Sequence, residues 1–404
     1  MAPTDSAMNN LPMFELTDAQ RELQQNARHL AVTAIAPHAA ETDRSEAYPW
    51  HTVEALREHR LMGMTLPPEY GGRGASYFDA VLVIEELSKV CAASGRIMVE
   101  SNMGAIGAIM KYGSHEQKQL AARLVLAGDK PAICITEPQA GSAASDMQTR
   151  AERHGDTWLL TGCKHWITGG GVSKLHFVFA RAIEDGKDTG IAGFIVEGPD
   201  VPGMSIRRIP AMGIRGIPEA VIEFDGVRVP HDMKVTPPGR SEAGFGGLMN
   251  AYNAQRVGAA TVALGIAQGA FDLALEYAKR REQFGRPIAE FQGLQWMLAD
   301  MSIQLEAARL MVWKAATSGR SSGSEFPSMF AAAQAKIAAA ETAIKVTNDA
   351  LQIHGAAGYG RDLPLERMVR DARMFTISGG TAQVLRTQVA STLLGQKLSQ
   401  RRGG

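Results

Sequence analysis

Hydrophobic positions recur at helical spacing through the first third of the chain, at strand spacing through a middle stretch, and at helical spacing again to the end. Leu16-Thr17-Asp18-Ala19-Gln20 reads as a capping box behind a leucine staple. Leu23, Ala27 and Leu30 then repeat along one helix face until Pro37, which is expected to stop the run. Further helices are expected around 50–62, 76–92 and 95–126. From about residue 130 the period changes. The segments 158–161, 176–180, 191–196 and 220–224 are short, rich in β-branched and aromatic residues, and cut by Gly, Pro and Asp. In the last of them Ala220, Ile222 and Phe224 face one way and Glu223 and Asp225 the other, as a half-buried antiparallel strand requires. After Pro237-Pro238 the chain becomes Ala-rich, with proline-poor helical stretches near 243–282, 290–318, 326–355 and 380–396, parted by Gly and Ser clusters such as 318–324. Four helices of that length make a bundle.

The fold class expected is mainly α with a central β domain. A chain of 404 residues is too long for one simple core, and the pattern divides it into an α-helical domain (1–129), a β domain (130–238) and a four-helix bundle (239–404). Lys plus Arg and Asp plus Glu both total 42, so there is no general field for nucleic acid or an anionic membrane. The expected partners are small molecules or copies of the chain itself. Cys91, Cys134 and Cys163 are odd in number and lack metal-ligand spacing, which favours a reducing compartment over a disulfide framework. The first fifteen residues lack the basic and apolar regions of a signal peptide, and no apolar run is read as approaching the ~20 residues of a membrane span. A cytoplasmic protein is the expectation. No strand leads through Gly-x-Gly-x-x-Gly into a helix, so a Rossmann site is not expected.

Five short motifs carry the chemistry: Cys134-Ile135-Thr136-Glu137-Pro138-Gln139-Ala140-Gly141-Ser142, Lys164-His165-Trp166-Ile167-Thr168, Arg281-Glu282-Gln283-Phe284-Gly285, Gln352-Ile353-His354-Gly355 and Ile377-Ser378-Gly379-Gly380-Thr381-Ala382-Gln383. Small residues between Thr136 and Ser142 let backbone N–H groups approach a ring or phosphate. An indole at a strand end can wall an aromatic ring, and an arginine can bind a pyrophosphate. In this order, from Leu16 to about Leu394, the motifs resemble the acyl-CoA dehydrogenase superfamily.

The resemblance implies an N-terminal α-domain, a middle β-domain and a C-terminal four-helix bundle. FAD would lie between β-domain and bundle and be completed by a neighbouring subunit of a homotetramer, and a CoA thioester would be the substrate. It implies that Ile135, Thr136 and Thr168 meet the isoalloxazine, that Trp166 walls it, and that Ser142 is shared between flavin and CoA. Arg281, Phe284 and Gln292 would hold the pyrophosphate and adenosine from another subunit. Gln352, Gly355, Thr381 and Gln383 would finish the cradle. Ala143, Gly169 and Ser378 depart from the family's usual Asp, Asn and Tyr.

The larger departure concerns the base. The family's tail motif carries a glutamate that removes the proton beside the thioester, and here that position is Gly379; in some subfamilies the glutamate moves to the bundle's first helix, where this chain has Gln255. Glutamine does not titrate in water, so the general-base contribution of ~10²–10⁴-fold is missing unless Glu100 or Glu137 supplies it. Arg96 lies in a small, apolar helical segment, at a position resembling the arginine with which glutaryl-CoA dehydrogenases hold a distal carboxylate. Such a guanidinium needs an anion, either Glu100 one turn on or the acidic end of a substrate.

The runs Gly95-Arg96-Ile97, Tyr252-Asn253-Ala254-Gln255-Arg256-Val257-Gly258 and 373–383, with Lys174, Asp371 and 387–390, are similar to a sulfite-releasing branch of the superfamily. It converts a 3-sulfinopropionyl thioester to propionyl-CoA. By that resemblance Arg96 and Gln255 are the catalytic, substrate-handling pair, and Ser142 and Arg256 neighbour the CoA, although Arg256 is equally placed to pair with carboxylates of the bundle. A dehydrogenase or decarboxylase of a short dicarboxylyl-CoA, and a flavin-binding scaffold without catalysis, are the alternatives.

Overall fold

The computed structural model describes residues 15–237, 241–321 and 323–398. The stretch read for a signal (apart from Glu15), Pro238, part of the 318–324 cluster and the extreme ends of the outer domains lie outside the described residues. The architecture is an α-helical amino-terminal layer, a central sheet and a carboxy-terminal four-helix bundle.

The first layer contains α1 (Asp18–Leu30), α2 (Ala36–Ser45), α3 (Trp50–Glu58), α4 (Tyr77–Ser88), α5 (Ala92–Asn102), α6 (Ala105–Tyr112) and α7 (His115–Leu126). Thr17 and Gln20 form the expected capping box of α1. Pro37 does not stop the run, contrary to expectation. A π turn over Ala31–Ile35 shifts the hydrogen bonding so that Ala36 donates to Ala31, and α2 begins with Pro37 in its first turn, where an absent N–H costs nothing. The stretch 95–126 is not one helix but parts of three. It breaks at Gly104, whose φ is +69°, and again at Gly113-Ser114, where Ser114 caps α7.

The sheet is built from β1 (Ala132–Cys134), β2 (Arg150–His154), β3 (Thr157–Thr168), β4 (Leu175–Glu184), β5 (Lys187–Glu197), β6 (Met204–Ile209), β7 (Glu219–Pro230) and β8 (Lys234–Val235), in the order β6-β7-β3-β2-β4-β5-β8 with β1 beside β4. Most pairs are antiparallel, while β1 and β2 run parallel to β4. Trp158, Phe194 and Ile222 fill its separate core, and Glu223 and Asp225 face solvent as the alternation requires.

The bundle comprises α8 (Ser241–Arg280), α9 (Gln292–Ser321), α10 (Met329–His354) and, after the short α11 (Ala356–Tyr359) and α12 (Leu365–Arg373), α13 (Ala382–Leu394); a hairpin of β9 (Glu282–Gln283) and β10 (Arg286–Pro287) joins α8 to α9. The segment Phe245–Arg280 is long and apolar enough to cross a membrane by length and composition, which corrects the sequence reading. Its most apolar window is 78% buried within the fold, so that apolarity is used in packing. Asp371 on α12 accepts the Ile214 N–H, tying the loop before β7 to the bundle, and burial pushes its carboxyl up to about 6.

Candidate active site

A β-bulge builds the first wall. β3 pairs with β7, and the register shifts between Lys164 and Ile167, so one extra residue must be absorbed. Trp166 takes up the left-handed conformation (φ +58°) and its indole stands half out of the surface. The His165 N–H donates to the Thr136 carbonyl at 2.8 Å, so the same bulge positions the 135–142 loop. Beneath it the buried Lys164 donates to the Ile135 carbonyl at 2.9 Å and to Glu137 at 2.8 Å. Glu137 also accepts the backbone N–H groups of Gln148 and Thr149. Burial pushes its carboxyl up, but these donors outweigh that and hold it below the usual range. Glu137 is thereby a structural anion, committed to the loop. Thr136 is half-buried and Ser142 exposed, and Gly141 borders open space.

The seam between α5 and α8 forms the second wall. Gly95 packs on Ser88 and Val262, Gly258 on Val99 and Met103, and Gly104 on Gln255, where a Cβ would come within 2.4 Å of the amide oxygen. Glycines here let two helices approach closely enough to bury polar side chains between them. Arg96 is 4% exposed and Gln255 8%. The Arg96 guanidinium bonds Glu100 through Nη2, and the other Glu100 oxygen takes Lys130. The intrahelical pairing anticipated for Arg96 therefore exists, and Glu100 is not a free base. It does not satisfy the arginine, however. Arg96 Nε, Gln255 Oε1 and Ser378 Oγ are buried without hydrogen-bond partners, which is costly unless a ligand or water completes them. No hydrogen bond joins Arg96 to Gln255 among the described residues.

Thr168, at the end of β3, sits opposite Glu219, the first residue of β7, and its hydroxyl donates to both carboxylate oxygens at 2.9 and 3.1 Å. Burial raises the Glu219 carboxyl to about 7, against the pull of Arg96.

The third wall is the Gly379-Gly380 turn, with φ of +72° and +95°. Arg256 donates through Nε to the Gly379 carbonyl at 3.1 Å and through Nη1 to Asn253 at 2.6 Å, and Lys336 donates to the Gly380 carbonyl at 2.6 Å. Among the described residues neither cation has a carboxylate partner, so the pairing of Arg256 with bundle carboxylates does not occur. Burial, with Arg256 nearby, pushes the Lys336 amine down to about 7.

Of the remaining sequence candidates, Thr381 and Gln383 follow the Gly379-Gly380 turn, and the others lie toward the opposite end of α8. Phe284 and Gly285 make the β9–β10 turn with positive φ, and Phe284 is 94% exposed. Arg281, Gln292, Gln352, Gly355 and Gln383 are exposed as well. Thr381 caps α13 by accepting the Val384 N–H. Tyr277 stacks on His354, so the ends of α8 and α10 meet near the hairpin. From Arg256 to Arg280 the helix runs about 36 Å at 1.5 Å per residue. One chain therefore does not bring Arg281 and Phe284 to Thr136 and Thr168.

The sequence reading did not single out Lys130, Glu219 or Lys336. Two had a signal: Glu219 opens an apolar strand, and Lys336 interrupts an alanine-rich helix face. Lys130, following Asp129 at a helix–strand junction, carries no such signal.

Models of the acyl-CoA dehydrogenase N-terminal, middle and C-terminal domains match residues 17–129, 132–227 and 242–394. The chain is 91% identical over 390 residues to a 3-sulfinopropanoyl-CoA desulfinase of Paraburkholderia xenovorans, covering 96% of this chain and 100% of that one. It is 64% identical to the 3-sulfinopropanoyl-CoA desulfinase of Cupriavidus necator, covering 97% and 99%. A glutaryl-coenzyme A dehydrogenase in complex with glutaryl-CoA superposes with a TM-score of 0.88 at 30% identity, covering 97% of this chain and 99% of that one. Matching all three domain models in order, this chain belongs to the acyl-CoA dehydrogenase family.

Proposed function

We propose that the chain is a 3-sulfinopropanoyl-CoA desulfinase, hydrolysing its substrate to propanoyl-CoA and sulfite. The observation that carries the reading is a buried arginine with an unpartnered Nε–H in a pocket whose two base positions are Gly379 and Gln255. The identity of 91% to a named desulfinase supports it over nearly the full chain. Family members are flavoproteins that act on CoA thioesters and are typically tetramers.

The reaction needs no base at C2. Water adds to sulfur, the C–S bond breaks with its electron pair left on carbon, and that carbon takes a proton: –CH2–SO2⁻ plus H2O gives –CH3 plus HSO3⁻. No electrons leave the substrate. Arg96 grips the sulfinate and stabilises charge on its oxygens, while the free Gln255 carbonyl orients the water. Glu100 and Glu137 are both held by lysines and take no proton from carbon.

The residues fit FAD. An exposed indole on a strained bulge, backbone groups of Ile135 and Thr136, and open space beside Gly141 and Gly379 form a cradle for a flat ring system. Bound flavin supplies an aromatic wall for the acyl chain. Because Arg281, Phe284 and Gln292 stand exposed at the far end of α8, they serve a second copy of the chain. CoA passes Ser142 and Arg256.

The test is incubation of the purified holoenzyme with 3-sulfinopropanoyl-CoA without an electron acceptor. One sulfite and one propanoyl-CoA are expected per thioester consumed, with an unchanged flavin spectrum. Bleaching of the flavin by succinyl-CoA or glutaryl-CoA, with no sulfite formed, would show a dehydrogenase instead.

A further inference from the structure

Tyr252 precedes Gln255 by three residues and Arg256 by four, so the three side chains share a face of α8. The Arg256 guanidinium lies 5.2 Å from the Tyr252 ring centroid and fixes that ring. The charged groups facing its hydroxyl come from three elements: Arg256 on its own helix, Arg96 and Glu100 on α5, and Glu219 on β7. The side chain is partly buried, and among the described residues nothing hydrogen-bonds to its hydroxyl. Burial raises the phenol above its ordinary range against the pull of the two arginines, so the hydroxyl keeps its proton and acts as a donor.

The acid end of the substrate has two oxygens to satisfy. Arg96 has one nitrogen committed to Glu100 and a buried Nε–H to offer. We infer that Tyr252 is a specificity-determining residue whose hydroxyl donates a hydrogen bond to the acid group at the end of the acyl chain, on the oxygen that Arg96 leaves open. This rests on the reading of the pocket as one for an acid-tipped thioester. Glu219, hydrogen-bonded to Thr168, lies within the field of Arg96.

The experiment compares the wild-type holoenzyme with Tyr252→Phe, which keeps the ring and its contact with Arg256. Binding of succinyl-CoA and of butyryl-CoA is followed by perturbation of the flavin spectrum, and kcat/KM is measured with 3-sulfinopropanoyl-CoA. Loss of one hydrogen bond to an ionised group should weaken succinyl-CoA and lower kcat/KM by about tenfold or more, while butyryl-CoA affinity stays within about twofold. Equal changes for both thioesters, no change for either, or no wild-type preference for the acidic thioester each overturn the assignment. If the preference is present and lost in Tyr252→Phe but no sulfite forms, the desulfinase reading fails and the tyrosine's role stands. Sulfite release with a preference unaltered in the variant overturns the tyrosine alone.

Discussion

The two charged ends of this pocket are built on opposite principles. Around Arg96 and Lys130, two cations meet Glu100, and Glu219 lies within their field, so positive and negative groups balance. Around the Gly379-Gly380 turn, Arg256 and Lys336 are held by carbonyl oxygens and an asparagine, with no carboxylate among the described residues. The unneutralised end is the one where the family resemblance puts the base, at Gly379. Its field would welcome a carboxylate, but its backbone does not: Gly379 has φ +72°, a conformation that costs an L residue about 1–3 kcal/mol. The missing base is therefore written into the main chain as well as the side chain. Balanced charge at the other end tells a different story, of an arginine prepared to hold a guest anion without depending on it for folding.

The largest expected effect tests that last point. Arg96→Ala should lower sulfite release by about 10³-fold or more, since it removes both the anchor and the charge that stabilises the sulfinyl oxygens. Flavin content should remain at the wild-type level, because Glu100 keeps Lys130. Turnover near the wild-type rate, with folding intact, would mean that the balanced cluster is structural only.

The next effect sets the two empty base positions against each other. Gln255→Glu places a carboxylate on regular helix, so it should cut sulfite release by about 10²-fold and allow slow anaerobic bleaching of the flavin by butyryl-CoA, a gain of general-base character. Gly379→Glu meets open space but left-handed backbone. It should lower the unfolding midpoint and bleach no faster than Gln255→Glu. A stable Gly379→Glu protein that bleaches faster would remove the backbone from the explanation.

How far all this was legible in the sequence depended on range. Long periodic segments and alternating strands are local signals, and the helix–sheet–helix order followed from them. Pro37 misled because a π turn, which has no composition of its own, starts a new helix just before it and leaves the proline in the first turn. Gly104 was read as helix interior, and its break became visible only when Gln255 was seen packed where a Cβ would be. Arg96, Gln255 and Gly379 stood out as residues of the wrong chemistry in their segments. The lysine on Glu100 and the glutamate on Thr168 are partners 30 and 51 positions away, and no spacing rule reaches them.

The smallest effect contrasts the two ends by their pH dependence. Lys336 titrates near 7 in the folded protein against 10.5 in the unfolded chain, so between those values the unfolded state binds more protons and stability rises with pH. Glu219 titrates near 7 against 4.5, so between 4.5 and 7 the folded state holds the extra proton and stability falls as pH rises. The slopes integrate to something on the order of 5 kcal/mol for Lys336 and 3 kcal/mol for Glu219. Lys336→Met should raise the unfolding midpoint at pH 7 and flatten its rise toward pH 10, because a buried cation with no carboxylate partner is removed at the loss of one hydrogen bond to Gly380. Glu219→Gln should leave that alkaline limb untouched and flatten the limb between pH 5 and 7. Unfolding midpoints of the two variants and the parent, scanned from pH 5 to 10, give the answer directly. If both variants changed the same limb, the two ends would share one titration, and the contrast between a balanced and an unbalanced pocket end would fail.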